Sequence, residues 1–511
     1  MKLSYSVLYP LAVWSFLFTT NAADRPNIIL IMADDMGWSD IGCFGGEIET
    51  PHIDRIAGEG MKFTQFYNNG KCTTTRASLL TGLYPRKGGR GQELLTQEML
   101  TLGEAMKLAG YQTGLSGKWH NGNKAPHRPF DRGFDKSYGL WDGCCNFFDP
   151  NQADPKFKGG KVRFFGEDDR RITEFPEDFY TTDAFTDHAL ASIKSAVDAK
   201  KPFFHYIPYT APHYPLHARP EDIRKYAGKY DGGWDKLRKD RYQRQVEMGL
   251  IDPKIYPEPG PNPDNETWEK GKNENLEWET ARMEVYAAMV DRMDQQIGRV
   301  LALLDELGVA DNTLILFHSD NGGCPESPGG SDTSHFPGPK EYYSHVGENW
   351  AYAQNTPFRR YKSHTHEGGI ASPLVVRWPA KIKPGQTTHQ VGHIIDFLPT
   401  FLALGNTDYP ADREGKPLLK EEGISLAPLL RDGQKEIERS APLFWFWAKN
   451  RAVREGDWKL VWENKTKAGW ELYDLSKDRT ETRNLADQFP DRVREMAKLW
   501  EAWAQSTDVK Y

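Results

Sequence analysis

Apolar residues fall in short unbroken runs separated by long polar stretches. Asn27-Ile-Ile-Leu-Ile-Met32 and Thr313-Leu-Ile-Leu-Phe317 have no alternation, and turn residues follow each. Such a run suits a strand buried on both faces of a mostly parallel sheet, because helices cover both sides. Phe203-Phe-His-Tyr-Ile207 and Pro373-Leu-Val-Val376 predict two further strands of this kind. Between the runs the period changes. Tyr286, Met289, Val290, Met293, Ile297, Val300, Leu301 and Leu304 recur at helical spacing and predict an amphipathic helix over Met283–Leu307. Strands alternating with helices predict an α/β fold with one large mixed, mostly parallel sheet sandwiched by helices.

Residues 216–280 are polar, Pro-rich and aromatic, and read as a long insertion with short helices that shapes a substrate cleft. The texture changes again after the polar turn Arg431-Asp-Gly-Gln-Lys435. Arg451–Trp462 and Trp470–Leu475 read as strands of a small antiparallel sheet, with a helix from Asp491 to Ala504 packed on it. The expected division is a main domain over 24–435 and a C-terminal antiparallel-sheet subdomain over 436–511.

The N-terminus changes the picture of where the chain works. Lys2, the apolar stretch Val7–Phe18 and the small residues Ala22-Ala23 form the pattern of a cleaved secretory signal over 1–23. The mature chain is then periplasmic or secreted. No later run approaches the ~18 apolar residues of a membrane span, so no stable membrane anchor is expected. The net charge of −7, from 65 Lys+Arg and 72 Asp+Glu, argues against a nucleic-acid partner. Five Cys in 511 residues exclude a disulfide-dense scaffold, and the odd number leaves at least one thiol without an internal partner. Adjacent Cys144 and Cys145 are poorly placed to bridge each other, and a bridge from either to Cys43 or Cys324 stays open.

Four polar clusters carry the chemistry. Asp34-Asp35 follows the first strand and Asp320-Asn321 follows the second. Ligands bind beyond the carboxyl ends of strands in open α/β sheets, so these pairs are expected to meet. Three carboxylates and an amide oxygen repel one another unless a cation joins them, and all-oxygen donors select Ca²⁺, with Mg²⁺ as the alternative. The third cluster, Cys72-Thr-Thr-Thr-Arg76-Ala-Ser-Leu-Leu-Thr-Gly82, predicts a Cys at a helix N-terminus, where backbone N–H groups and Arg76 favour an anion. The fourth gathers cations: Lys118 and His120, then His213, then Lys362. Taken singly, each of these is an ordinary turn, buried thiol or surface charge.

In their joint order the clusters resemble the type I, formylglycine-dependent sulfatases of the arylsulfatase class, within the alkaline phosphatase superfamily. The resemblance runs over Ile28–Asp35, Cys72–Gly82, Gly117-Lys-Trp-His120, Ala211-Pro-His213, Ser319-Asp-Asn-Gly322, Asn355–Arg359, Glu367-Gly-Gly-Ile370 and Glu471–Leu475. It implies that a maturation enzyme oxidises Cys72 to formylglycine, whose hydrate attacks the sulfur of a sulfate monoester and passes through a covalent sulfo-enzyme intermediate. It also implies the roles. Asp34, Asp35, Asp320 and Asn321, with residue 72, hold the metal. Lys118 and Lys362 bind sulfate, Arg76 holds the formylglycine, His120 assists its second hydroxyl, and His213 protonates the leaving alcohol. His364 and His366, beside Lys362, are candidate substrate contacts.

The substrate implied is a sulfated saccharide of galactose or N-acetylgalactosamine type. The signature departs from the family at Thr74, where Pro or Ala is usual. Two rival readings follow. One is a phosphonate or phosphodiester hydrolase of the same superfamily. The other is a sulfated-glycan-binding protein without turnover, if Cys72 is not matured.

Overall fold

The first apolar run forms β1 (Asn27–Ala33), and its side chains explain why Ile28–Ala33 has no polar position. Ile29, Ile31 and Ala33 enter one apolar cluster, while Ile28, Leu30 and Met32 enter another on the opposite face. The chain is described by a computed structural model over residues 25–511, except 86–94, 259, 263, 265–266, 270–274, 331, 435 and 467. The expected export signal over 1–23 lies outside the described residues, as does position 435.

Ten further strands join β1: β2 (Met61–Tyr67), β3 (Gln112–Ser116), β4 (Lys136–Leu140), β5 (Phe165–Glu167), β6 (Arg170–Ile172), β7 (Phe203–Pro208), β8 (Thr313–Ser319), β9 (Ala371–Arg377), β10 (Gln386–Thr388) and β11 (Gly392–His393). Their order is β10-β2-β9-β8-β1-β7-β3-β4-β5-β6, with β11 also on β2. The centre, β8-β1-β7-β3-β4, is parallel. Only β9 runs against its neighbours β8 and β2 there, so β2 again points the way of β1. The carboxyl ends of β1, β2, β3, β7 and β8 and the start of β9 therefore share one edge of the sheet.

The predicted long helix is observed over Leu276–Glu306, one of the helices that cover the sheet. A two-stranded ribbon, β12 (Asp412–Arg413) with β13 (Lys416–Pro417), precedes the second sheet. That sheet is antiparallel, β14 (Leu443–Trp447), β15 (Asn450–Glu455), β16 (Trp458–Trp462) and β17 (Trp470–Asp474), covered by the helix Pro490–Ser506. Leu443, Trp445, Val453, Leu460 and Trp500 belong to the same apolar cluster as Ile29 and Ile31, so the two sheets share a core.

The insertion carries helices as expected but differs in where its aromatic residues lie. Its helices are Pro220–Arg224 and Gly233–Glu247. Its aromatic residues face inward: Trp234 meets Trp268 edge-on at 4.6 Å and Trp350 at 5.6 Å, and all three are buried. Burial of these rings is worth more to the core than to an open cleft. Arg241, also buried, pairs with Asp40 at 2.6 Å and Glu47 at 2.8 Å, which ties the insertion to the loop after β1.

Candidate active site

The shared edge of the sheet collects all four polar clusters. Asp34 and Asp35 follow β1 directly, and Asp35 has φ +67°, a left-handed backbone that Asp tolerates at a small cost. The turn is pinned across strands: Asp320 N donates to Ala33 O at 3.1 Å, Asp35 N donates to Asp320 Oδ1 at 3.0 Å, and Asn321 Nδ2 donates to Asp35 Oδ1 at 2.7 Å. Asp34, Asp35, Asp320 and Asn321 are all fully buried.

Cys72 opens the helix Cys72–Thr81 that follows β2, with Lys71 as its extended cap residue. The thiol lies against the acids: one ligand atom each from Asp34, Cys72 and Asp320 falls within 4.8 Å of the others. Burial pushes the Cys72 thiol up despite Lys118, Lys362 and Lys71, so an unmodified Cys72 is not poised as a thiolate. Thr74 is buried, and its hydroxyl donates to Lys71 O at 3.0 Å. At this position the folded helix accommodates Thr without an unmet hydrogen bond.

Three buried cations enclose the acids. Arg76 donates from Nε at 3.1 Å and from a terminal nitrogen at 2.8 Å to Asp320 Oδ2, and its other nitrogen reaches Lys118 O at 2.9 Å. Lys118 Nζ lies 2.5 Å from Asp34 Oδ2, and Lys362 Nζ lies 2.7 Å from Asp35 Oδ2. Burial pushes the Asp34 carboxyl well up, Lys118 opposes this, and Asp320 adds to it. Asp35 goes the other way. Burial favours its neutral form, but Lys362, His213 and Lys118 together hold it well below the usual range.

Two histidines complete the cluster. His213 Nδ1 donates to Tyr214 O at 2.5 Å, which leaves Nε2 toward Asp35 Oδ2 at 3.4 Å. Burial presses His213 down to about 3 although Asp35 favours its cation. His120 has φ +56° and a buried Nδ1 without a hydrogen-bond partner. Burial, then Lys118 and Arg76, hold its ring neutral. His364 and His366 turn elsewhere. His364 Nε2 lies 3.3 Å from Glu463, and His366 Nε2 lies 3.0 Å from Glu471, so both face the C-terminal sheet.

The donor set suits a hard divalent cation. Asp34, Asp35, Asp320 and Asn321 offer oxygens beside the Cys72 sulfur, and Asp34 Oδ1 and Asn321 Oδ1 are buried without hydrogen-bond partners. Sequence reasoning missed Glu326, Lys71 and Tyr214. Glu326 is contacted by Lys71, by Tyr214 Oη at 2.9 Å and by Lys362 at 3.6 Å. The loop after Asn321 has no periodicity or motif that marks Glu326. All five cysteines are buried free thiols, so no bridge links Cys144 or Cys145 to Cys43 or Cys324.

Comparison with known proteins agrees with this geometry. The Sulfatase family matches residues 26–407, and the family described as N-sulphoglucosamine sulphohydrolase, C-terminal, matches residues 360–506. An uncharacterized sulfatase of Schizosaccharomyces pombe is 33% identical over 95% of this chain and 94% of its own length. The N-acetylgalactosamine-6-sulfatase of Mus musculus is 30% identical over 90% of this chain and 76% of its own. The crystal structure of Ps i-CgsB in complex with k-i-k-neocarrahexaose superposes with a TM-score of 0.69, 25% identity, 94% coverage of this chain and 93% of that one. The acid cluster at the sheet edge and a family match over most of the chain lead to one conclusion: this protein belongs to the sulfatase family and is a sulfuric ester hydrolase.

Proposed function

We propose that this sulfatase hydrolyses sulfate monoesters of a saccharide, of galactose or N-acetylgalactosamine type, using formylglycine made from Cys72 by a maturation enzyme. The observation that carries the reading is the packing of Asp34, Cys72 and Asp320 within 4.8 Å, enclosed by Arg76, Lys118 and Lys362. The sugar class is supported by the relative that acts as an N-acetylgalactosamine-6-sulfatase and by the neocarrahexaose complex.

Asp34, Asp35, Asp320 and Asn321, with residue 72, would hold Ca²⁺, or Mg²⁺ in its place. When bound, the cation supplies positive charge that acidifies an oxygen nucleophile and screens the ester. The formylglycine hydrate supplies two hydroxyls, one to attack sulfur and one to expel sulfate, which neither Cys nor Ser can do. Lys118 and Lys362 bind the sulfate oxygens as point charges and stabilise charge on the transferring group. Arg76 would hold the formylglycine at residue 72 and supply local positive charge.

His213 presents Nε2 to the leaving oxygen, because Nδ1 is committed to Tyr214 O. An anionic ester beside Nε2 raises its proton affinity from that low value, and that proton then leaves with the alcohol. His120, neutral and with a free ring nitrogen, is the base for the second hydroxyl. The chain acts after export to the periplasm or beyond, and the proposed division keeps a catalytic domain in 24–435 and a subdomain in 436–511. Among the described residues no helix is long and apolar enough to cross a membrane.

The test compares an aryl sulfate with an aryl phosphate diester that has the same leaving group, alongside mass spectrometry of the tryptic peptide carrying residue 72. A faster sulfate ester and a formylglycine mass are expected. A diester preferred by orders of magnitude, or an unmodified thiol in protein from the native host, refutes the reading.

A further inference from the structure

Glu326 is a carboxylate at this site that the chemistry above leaves unused. It lies on the loop after β8. Its Oε1 pairs with Lys71 Nζ, and its Oε2 accepts from Tyr214 Oη at 2.9 Å and lies 3.6 Å from Lys362 Nζ. Lys362 is sealed from solvent, whereas the side chains of Glu326 and Lys71 are 31% and 17% exposed. Glu326 therefore stands between the innermost lysine and the outside.

A carboxylate in that position is a cost for sulfate binding alone. It offsets the charge of Lys362 and repels the anionic ester. Orienting Lys362 does not require it, since Asp35 is nearer at 2.7 Å. Its neighbours Lys71, Lys362, Tyr214 and Lys158 are present as donors, with Lys158 Nζ 3.4 Å from Tyr214 Oη. Glu326 supplies the acceptor among them. A group that accepts from a neutral hydroxyl and repels an anion discriminates between substrates rather than binding them all.

We propose that Glu326 is a specificity-determining residue: it accepts a hydrogen bond from a sugar hydroxyl on the carbon next to the sulfated one and excludes a second anionic group there. The substrate is then a sugar with a free hydroxyl beside its sulfate ester, not a vicinal disulfate. This rests on the saccharide sulfatase reading above.

The experiment measures kcat/KM of the mature wild type, Glu326→Gln and Glu326→Asp on three substrates. They are a galactose-type monosulfate with a free vicinal hydroxyl, the matching vicinal disulfate, and an aryl sulfate without hydroxyls. Glu326→Gln is expected to lose about tenfold or more on the monosulfate, to gain on the aryl sulfate as the charge beside Lys362 is relieved, and to narrow the monosulfate preference about tenfold. Glu326→Asp keeps the charge and is expected to keep rejecting the disulfate, which tests the idea even if the Gln variant does not fold. Equal losses on sugar and aryl sulfates overturn the proposal, as does a Glu326→Asp variant that accepts the disulfate. A mature wild type that turns over the aryl sulfate but no sugar sulfate overturns it together with the saccharide reading. One that turns over no sulfate ester overturns the catalytic reading as well.

Discussion

Lys459→Met tests how the second sheet supports the loop of the active site. Lys459 is buried on β16, with Nζ 2.7 Å from Glu367 Oε1 and 2.8 Å from Glu481 Oε1. Glu367 Oε2 also accepts from Tyr67 Oη at 2.8 Å and from Arg479 at 2.5 Å. Burial favours a neutral Glu367, yet Lys459, Arg479 and Arg454 hold it at about 2, against an ordinary 4.5. That difference corresponds to about 3 kcal/mol of stability at neutral pH.

The sign is that of a depressed carboxylate. The stabilisation is fully present above the unfolded value near 4.5 and is lost as the pH falls through about 2. Removing Lys459 leaves Glu367 to Arg479 and Arg454 and takes from the buried Glu481 its ammonium partner, which costs about 3–5 kcal/mol. Urea unfolding of wild type and variant should therefore differ by that amount at neutral pH and converge in acid, where Glu367 is protonated in both. Activity should fall as well, because Gly368 N donates to Arg359 O at 2.8 Å and Gly369 N to His366 O at 2.9 Å, on either side of Lys362. A loss below about 1 kcal/mol, the scale of an exposed pair, or a gap independent of pH, would refute the argument.

Other outcomes are expected. Cys72→Ser should keep its melting temperature and lose turnover by about 10³ or more, read on an aryl sulfate. In Gly143→Ala the new Cβ would lie 2.5 Å from a His120 ring carbon, so kcat should fall about tenfold to a hundredfold with little change in unfolding. In Gly322→Ala the Cβ would lie 1.9 Å from the Gly368 carbonyl oxygen, a backbone atom, and soluble folded protein should be lost. Chelation should abolish activity, with Ca²⁺ restoring it better than Mg²⁺, and saturating Ca²⁺ at about 100 times Kd should add about 2.7 kcal/mol to stability. An activity indifferent to chelation counts against the metal assignment.

The strands that a reader of the chain finds are those buried on both faces. β1 and β8 declare themselves because Ile28–Ala33 and Leu314–Phe317 are unbroken apolar runs. β3, Gln112-Thr-Gly-Leu-Ser116, does not, although it is nearly all buried and lies within the same sheet. Its Thr113 is satisfied by Gly133 O at 2.7 Å, a partner that only the fold supplies. β2, with Lys62 and Gln65 among its apolar residues, and β14, rich in aromatics, were likewise invisible as members of particular sheets. Propensity reports that a segment is extended, and pairing with distant neighbours decides where it goes.

The candidate site divides in the same way. Asp34-Asp35, the Cys72 signature, Lys118-Trp-His120, His213, Asp320-Asn321 and Lys362 are local signals, because each belongs to a short motif in a set order, all but Lys362 after a strand or at a helix start. The partners of His364 and His366 and the role of Glu326 are not, since they depend on residues about a hundred positions or more away in the chain. By itself the sequence determined the class of fold and the sulfatase family, and it named candidate residues for the site, because period, order and residue type are local properties. The tertiary structure decided which charges face one another, that the aromatic insertion is core rather than cleft, and that the C-terminal sheet grips the Lys362 loop. Those outcomes depend on burial and on distances between segments far apart in the chain, and burial is what turns a surface charge into a partner that must be matched.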